Sequence, residues 1–146
     1  MSDSYTSLLF HVVFSTYERK PLISSPMQKK LWPYMGGIVR EYKMKALAVG
    51  GVADHVHLLL SLPSTMAIAK AVQIVKANSS KWINEHPEQR SFAWQKSYSA
   101  FSIGVSQIEN TVKYIHNQEK HHAKMNFDEE LNKILKRHGI ERFSSL

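Results

Sequence analysis

Residues 46–62, ALAVGGVADHVHLLLSL, contain two apolar runs on either side of a short turn, and this stretch decides the fold. The runs at 46–52 and 55–62 have the length and the apolar content of strands. Ala53 and Asp54 between them form the short connection that joins antiparallel neighbours. The stretch therefore predicts a β-hairpin.

His55 and His57 lie in the second strand of this hairpin. Side chains two residues apart on a strand point the same way, so both imidazoles share one face, while Val56 and Leu58 point to the other. Two adjacent imidazoles can bind one metal ion, although two ordinary histidines at a strand edge give the same pattern. Leu59 follows at the next alternate position, which excludes the His-x-His-x-His pattern of histidine-triad nucleotide hydrolases.

Outward from the hairpin, strand-like and helix-like segments alternate. Residues 7–14 (SLLFHVVF) predict a central strand, and residues 24–42 predict a helix that starts at Ser-Ser-Pro. Residues 66–85 predict a second helix, and residues 92–105 contain a fourth strand after an aromatic loop. The order β-α-β-β-α-β is that of a ferredoxin-like, split βαβ sandwich of the α+β class, similar to the RRM. Two helices cover one face of its antiparallel sheet, and we expect the other face to be free for a ligand or partner.

Two more helices are expected after the sheet. Ser106 resembles an N-cap with Glu109 at the capping-box position, and a helix follows to about residue 122. A last helix covers residues 128–137 and ends at Gly139. We therefore expect a single domain over residues 1–146, with a core at about 5–105, a tyrosine-bearing helix at about 106–122 and a C-terminal helix at about 127–138.

Composition narrows the class of function. The 146 residues include no cysteine, which excludes disulfides, thiolate metal sites and a cysteine nucleophile. Nineteen Lys and Arg against 12 Asp and Glu give a net charge of +7, which favours a polyanion such as nucleic acid as partner. No apolar run approaches the roughly 20 residues of a membrane span, and the N-terminus does not resemble a signal peptide. We expect a cytoplasmic protein with no membrane partner.

A second chemical pattern is Tyr114-Ile-His-Asn-Gln118 in the third helix. Tyr114 and Gln118 are four residues apart and share a helix face, which His121 and His122 continue. A solvated helix face with a partly buried tyrosine has the same pattern. The pattern gains chemical meaning if this face packs near the two strand histidines.

Together the two patterns fit metal-assisted chemistry on a phosphodiester. Two imidazoles and an amide oxygen leave positions open on a hard cation such as Mg²⁺ or Mn²⁺. A tyrosine hydroxyl is a feasible nucleophile, but its ordinary pKa of about 10 requires activation, and the sequence identifies no general base. Asp54 is interpreted as a turn residue, with orientation of a histidine as the alternative. His11 is interpreted as a histidine that is satisfied in the core or at its edge.

These patterns belong to a longer set of motifs. The sequence resembles the small single-tyrosine HUH transposases of bacterial and archaeal insertion sequences, the TnpA type, with the REP-associated tyrosine transposases as relatives. The matching segments are residues 11–16 with 19–21, residues 51–60, Lys76 with Ser79-Ser80, Trp94-Gln95 with residues 100–102, and Tyr114 with Gln118 and His121-His122. Relatives often carry glycine at the positions of Ser97 and Ser99. The sequence therefore differs from the family pattern in the loop before the fourth strand.

The resemblance implies a homodimer in which the tyrosine helix of one subunit completes the metal site of the other. His55 and His57 would be two ligands of a Mg²⁺ or Mn²⁺ ion, and Gln118 the third. Tyr114 would attack single-stranded DNA at a hairpin-bearing element end and form a 5′-phosphotyrosine link with a free 3′-hydroxyl. Rejoining would need no nucleotide cofactor, because the linkage keeps the bond energy.

Five side chains are candidate DNA contacts: Lys76, Lys81, Arg19, Trp94 and Tyr98. The aromatic pair would stack on unpaired bases, with core packing as the alternative. The lysines would follow a phosphate backbone, with a solvated helix face as the alternative. Two other functions fit parts of the sequence. One is an RRM-like module that binds single-stranded nucleic acid without catalysis, and the other is a domesticated relative that processes chromosomal hairpins.

Overall fold

The computed structural model describes residues 4–89 and 91–141 and shows an α+β sandwich. Its strands are β1 (Leu9–Ser15), β2 (Lys45–Val52), β3 (His55–Ser61) and β4 (Ser99–Ile103). They form one antiparallel sheet in the order β2-β3-β1-β4. The structure confirms the predicted hairpin, which is β2 and β3, and with it the ferredoxin-like arrangement.

Two long helices, α1 (Ser25–Glu41) and α2 (Ile68–Asn84), cover one face of the sheet. The predicted start of α1 is confirmed, since the Ser24 side chain accepts a hydrogen bond from the Met27 amide at 3.3 Å. The sheet contributes to the core beneath these helices with Val12, Phe14, Val56, Leu58 and Leu60. Among the described residues, no helix is both long and apolar enough to cross a membrane.

The predicted aromatic loop and fourth strand are both observed within residues 92–105, and the aromatic residues of the loop turn inward. Phe92 and Trp94 join the main core, and Trp94 meets Thr16 in an isolated β-bridge. The strand itself therefore begins at Ser99. The first strand begins at Leu9 rather than at residue 7, where it was predicted to begin.

The expectation of a free second sheet face is wrong. In the part of the chain that the structure describes, three α-helices follow the sheet: α3 (Ile108–His116), α4 (Gln118–His122) and α5 (Phe127–Arg137). Val13 and Phe101 of the sheet pack against Phe127 and Ile134 of α5. Because this face also carries apolar side chains, the chain covers it with its own helices, and the two histidines lie beneath them.

The predicted continuous helix over residues 106–122 is broken at Asn117. This residue has φ −102° and ψ 22°, outside the helical region, and it separates α3 from α4. The break leaves Tyr114 near the end of one helix and Gln118 at the start of the next.

The predicted cap of this helix at Ser106 and Glu109 is also wrong. A 3₁₀ turn over Val105–Gln107 precedes α3, and the Gly104 amide donates to the Gln107 side-chain oxygen at 2.8 Å. The Gln107 side chain thus satisfies the free backbone N–H of Gly104. The prediction had given this capping role to Ser106 and Glu109.

The last helix agrees with the prediction. The Asn126 side chain accepts from the Glu129 amide at 2.9 Å, and the Glu129 carboxylate accepts from the Asn126 amide at 3.4 Å. After α5, Gly139 has φ 69°, the left-handed conformation that favours glycine at a helix end. Both ends of α5 are thus fixed by local chemistry.

Gly50 in β2 allows α3 to lie close to the sheet. A Cβ atom at this position would stand 2.6 Å from the Ile115 carbonyl oxygen and 3.1 Å from its Cγ2 atom. Ile115 is the neighbour of Tyr114, so the absence of a side chain at Gly50 sets the height of the tyrosine above the sheet.

Candidate functional site

The two strand histidines are buried at the centre of the second sheet face. His55 and His57 are both 0% exposed, and their ring centroids lie 5.1 Å apart. In the register of the sheet they lie opposite Ser15 and Val13 of β1. The shared face that strand spacing predicts is therefore observed, under α3 to α5 rather than at an open surface.

Asp54 orients the first histidine. Its Oδ1 atom lies 2.7 Å from Nδ1 of His55, so Nδ1 carries the proton of that hydrogen bond and Nε2 faces the interior of the site. Asp54 occupies the turn between β2 and β3, as interpreted from the sequence, and also has the orienting role that was the alternative.

His11 supports the second histidine. Its Nε2 atom lies 2.8 Å from Nδ1 of His57, which turns His57 Nε2 toward the same interior point. Burial, followed by the positive potential of His57, lowers the pKa of His11 to about 3. Burial likewise lowers the pKa of His57. His11 is thus the satisfied, buried histidine expected from the sequence, with the additional effect of fixing its neighbour.

Gln118 meets the histidines within one chain. Its Oε1 atom lies 3.0 Å from His55 Nε2, and its Nε2 donates to the Tyr114 carbonyl at 3.4 Å. The side chain is 1% exposed. The break at Asn117 does not separate Gln118 from Tyr114, because this hydrogen bond spans the two helices.

Glu130 of α5, which sequence reasoning missed, lies at the centre of the site and is 1% exposed. Its Oε1 atom lies 3.2 Å from Nε2 of both His55 and His57, and 2.8 Å from Nε2 of His122. Its Oε2 atom accepts hydrogen bonds from the Tyr114 hydroxyl and, at 3.0 Å, from the Gln118 amide. Burial alone would raise the pKa of Glu130, but the hydrogen bonds from His55 and His57 hold it far below its usual range.

The Tyr114 hydroxyl is half-buried beside the histidines. Its ring centroid lies 5.7 Å from that of His57, and its hydroxyl donates to Glu130. Burial, followed by this hydrogen bond and the negative charge of Glu130, raises the pKa of Tyr114 well above its ordinary value. The hydroxyl is therefore protonated at neutral pH.

The polar atoms at this centre fit a divalent cation. His55 Nε2 faces two oxygens, Gln118 Oε1 and Glu130 Oε1, while its Nδ1 proton is committed to Asp54. A neutral imidazole would then turn a lone pair toward two acceptors, so a proton or a cation is needed between them. Burial lowers the pKa of His55, but hydrogen bonds to Asp54 and Glu130 outweigh it and raise the pKa to about 9.

Two of the candidate DNA contacts, Trp94 and Lys76, are buried or half-buried and hold the loop before β4. Trp94 is 8% exposed, packs edge-on against Phe14 and donates its indole N–H to Ser79 at 2.9 Å. Lys76 donates to the carbonyl oxygens of Gln95 and Ser97 at 2.8 and 2.7 Å, and burial lowers its pKa. Both side chains hold the loop before β4, in agreement with core packing as the alternative for Trp94.

The other three candidates are exposed. Tyr98 is 37% exposed at a cavity of about 510 Å³, and Lys81 lies on the exposed side of α2. Arg19 pairs with Asp128 at the start of α5 and lies 5.6 Å from the centre of the Phe127 ring. Arg19 therefore links the segment after β1 to α5.

Glu130 had a sequence signal, and so did its neighbour His122. Glu130 lies between Phe127 and Ile134 at the spacing of the buried helix stripe, where a carboxylate is unusual unless it has partners. His122 belongs to the His-His pair already placed on the face of Tyr114. Both were missed as site residues because their meeting depends on how α5 packs.

The fold and this centre together define a class, small ferredoxin-like proteins in which a helix carries a tyrosine to a buried histidine pair. A family model described as "Transposase IS200 like" matches residues 4–118. The chain belongs to this family of IS200-like transposases, which confirms the resemblance seen in the sequence. No curated protein sequence matches the chain significantly.

Solved structures share the fold at low sequence identity. One is a protein of Deinococcus radiodurans R1 assigned as a transposase, with 19% identity and a TM-score of 0.64 over 80% of this chain and 96% of that chain. Another is a REP-associated tyrosine transposase bound to a REP hairpin, with 16% identity and a TM-score of 0.59 over 86% of this chain and 76% of that chain.

Proposed function

We propose that this protein is a DNA transposase that cleaves and rejoins single-stranded DNA at insertion-sequence ends through a 5′-phosphotyrosine intermediate. The observation that carries the proposal is the position of the Tyr114 hydroxyl beside the converging polar atoms of His55, His57 and Gln118. Membership of the IS200-like transposases supports DNA as the substrate.

His55, His57 and Gln118 are the residues that would hold a Mg²⁺ or Mn²⁺ ion. Such an ion, when bound, polarises a phosphodiester and stabilises the charge on its oxygens. Asp54 and His11 would keep both imidazoles pointed at it, since ligating histidines usually need a partner on the second ring nitrogen.

Tyr114 is the proposed nucleophile. Its oxygen forms a bond to phosphorus while the bond from phosphorus to the 3′ oxygen breaks, and the tyrosine loses its proton as the 3′ oxygen gains one. Attack by another 3′-hydroxyl on the phosphotyrosine reverses these changes and joins a new strand. No nucleotide cofactor is required, because the phosphotyrosine retains the energy of the broken bond.

Single-stranded DNA with hairpin ends is the proposed partner. The net charge of +7 favours a polyanion, and a solved protein of the same fold is bound to a REP hairpin. Tyr98, Lys81 and Arg19 are the exposed candidates for contacts with it. A domesticated relative that processes chromosomal hairpins would use the same centre, and either enzyme would act in the cytoplasm.

The alternative of an RRM-like binding module has less support. Such a module binds nucleic acid on an open sheet. Here the described helices α3 and α5 cover that face, and His55 and His57 beneath them are 0% exposed.

The test is covalent trapping of labelled DNA. Wild-type protein is incubated with a labelled single strand that carries a hairpin and with Mn²⁺, and the products are separated on a denaturing gel. We expect a protein-linked product that Tyr114→Phe abolishes and that Tyr5→Phe, at a residue 91% exposed, leaves unchanged. A persistent adduct in Tyr114→Phe would refute the proposal.

The homodimer implied by the resemblance has a separate test. Within one chain, Tyr114 and Gln118 already contact the groups around His55 and His57, whereas exchanged helices would place the same contacts between subunits. Mixing His57→Ala protein with Tyr114→Phe protein restores cleavage if the sites are composite. No restoration would show that each chain builds its own site, and light scattering reports the mass of each preparation.

A further inference from the structure

We propose that Glu130 is itself a ligand of the divalent metal, so that α5 completes a centre of two imidazoles, one amide oxygen and one carboxylate. This inference rests on the proposed metal at His55 and His57, and it adds a residue that lies beyond the segment matched by the family model, residues 4–118.

The first argument is convergence on one atom. Glu130 Oε1 lies 3.2 Å from His55 Nε2, 3.2 Å from His57 Nε2 and 2.8 Å from His122 Nε2. A carboxylate oxygen has about two lone-pair sites, so three nitrogens exceed what hydrogen bonding alone can satisfy. One donor atom each of His55, His122 and Glu130 falls within 4.8 Å of the others, so Glu130 lies in a cluster of side chains that could hold an ion.

The second argument is spacing. Neighbouring ligands of an octahedral ion with bonds of about 2.1 Å lie about 3.0 Å apart. His55 Nε2 lies 3.0 Å from Gln118 Oε1 and 3.2 Å from Glu130 Oε1, and the latter lies 3.2 Å from His57 Nε2. These three pairs of atoms therefore have separations that suit neighbouring ligands of one ion.

The third argument is charge. Two neutral imidazoles and an amide carry no negative charge, whereas protein sites for Mg²⁺ usually include one or two carboxylates. Glu130 is a carboxylate 1% exposed at this point, and burial of such a group is costly unless it is paired or bound to a metal. Four protein ligands still leave two octahedral positions for phosphate oxygens.

His122 has a positioning role in this arrangement. Its Nε2 contacts the same Glu130 oxygen at 2.8 Å, and its ring lies 4.4 Å from that of His55. It restrains the carboxylate from the side of α4, so that Glu130 faces the two strand histidines.

The experiment is titration of the full chain with Mn²⁺, with free Mn²⁺ measured by electron paramagnetic resonance. We expect Glu130→Gln to weaken binding at least about tenfold, because the charged ligand is lost while the shape is kept. Glu129→Gln is the matched control on the same helix, and it should change affinity less than about twofold, since glutamine also suits its capping position. Glu130→Asp should lie between the two, and His57→Ala should abolish binding.

Each outcome decides between the two proposals. If Glu130→Gln binds Mn²⁺ like the wild type while His57→Ala does not, the ligand role of Glu130 is wrong and the proposed function stands. If Glu130→Gln loses cleavage but keeps its affinity, Glu130 acts on Tyr114 instead, and the ligand role is again wrong. If the wild type does not bind Mn²⁺, the metal-assisted function fails together with this inference. Circular dichroism on each variant shows that the fold is retained.

Discussion

The site has two halves that differ in how the chain builds them. The sheet half consists of His11, His55 and His57, which neighbouring strands hold in a hydrogen-bonded register. The helix half consists of Tyr114, Gln118 and Glu130, on three short helices whose positions depend on packing against the sheet. The difference teaches that a strand places side chains on one face by its local repeat, whereas Tyr114 reaches the two histidines only through tertiary contacts.

The largest expected effect compares one residue from each half. His57→Ala removes a proposed ligand of the sheet half and should lower cleavage by about 10³-fold, as expected for several kcal/mol of lost transition-state stabilisation. Gln118→Ala should lower it by roughly 10- to 100-fold, because the other ligands are retained. Single-turnover cleavage rates check both values. A larger loss for Gln118→Ala would reverse the ranking of the two halves.

A smaller effect on the cleavage rate is expected where the sheet and the helices of the site are in contact. Gly50→Ala places a methyl group 2.6 Å from the Ile115 carbonyl, so α3 must shift and carry Tyr114 with it. Misplacement by about 1 Å can lower a rate by about 100-fold. The single-turnover cleavage rate should fall by up to this factor.

Gly37→Ala is the control for Gly50→Ala. The nearest atom to its added Cβ is the flexible Arg40 side chain at 3.9 Å, so its cleavage rate should match the wild type. Equal rates for both variants would show that the height of α3 does not matter.

The sheet half should also give the protein a pH dependence. The pKa of His11 is lowered from 6.5 to about 3, so below pH 6.5 the unfolded chain takes up a proton that the folded chain does not. Stability therefore falls as the pH decreases, by about 1.4 kcal/mol per pH unit for one such group. The pKa of His55 is raised from 6.5 to about 9, so this histidine has the opposite effect on stability. Its contribution is present below pH 6.5 and is lost as the pH rises from 6.5 to about 9.

His11→Gln tests this assignment, since it removes the titrating group and keeps a partner for His57. The acid slope should decrease by about 1 kcal/mol per pH unit, measured by urea unfolding in the presence of a chelator. An unchanged slope would assign the acid sensitivity to other groups.

The smallest effect is expected at the exposed link between α5 and the segment after β1. Arg19 pairs with Asp128, and both side chains are about two-fifths exposed, so Arg19→Ala should cost less than about 1 kcal/mol. Urea unfolding measures it, with Lys20→Ala as a control for an exposed ion pair with Glu18. A loss above about 2 kcal/mol would mean that α5 depends on Arg19 far more than its exposure indicates.

The sequence predicts the sheet half well because its signals are local. The two-residue repeat of β3 places His55 and His57 on one face. The start of α1 is predicted equally well, because Ser24 caps it by a contact within one turn. The helix half is harder to predict for a physical reason. The break at Asn117 and the contact of Glu130 with the two strand histidines both follow from how α3 to α5 pack on the sheet, which no local pattern determines. The expectation of a free sheet face was wrong for the same reason, because the covering of that face depends on how these helices pack.

The order of elements along the chain has a consequence for synthesis on the ribosome and for proteolysis. α5 is made after every other helix and strand described, and until it arrives Val13 and Phe101 lack their apolar partners Phe127 and Ile134. A fragment that ends near residue 118 would keep the family-matched segment but expose this patch, which favours aggregation.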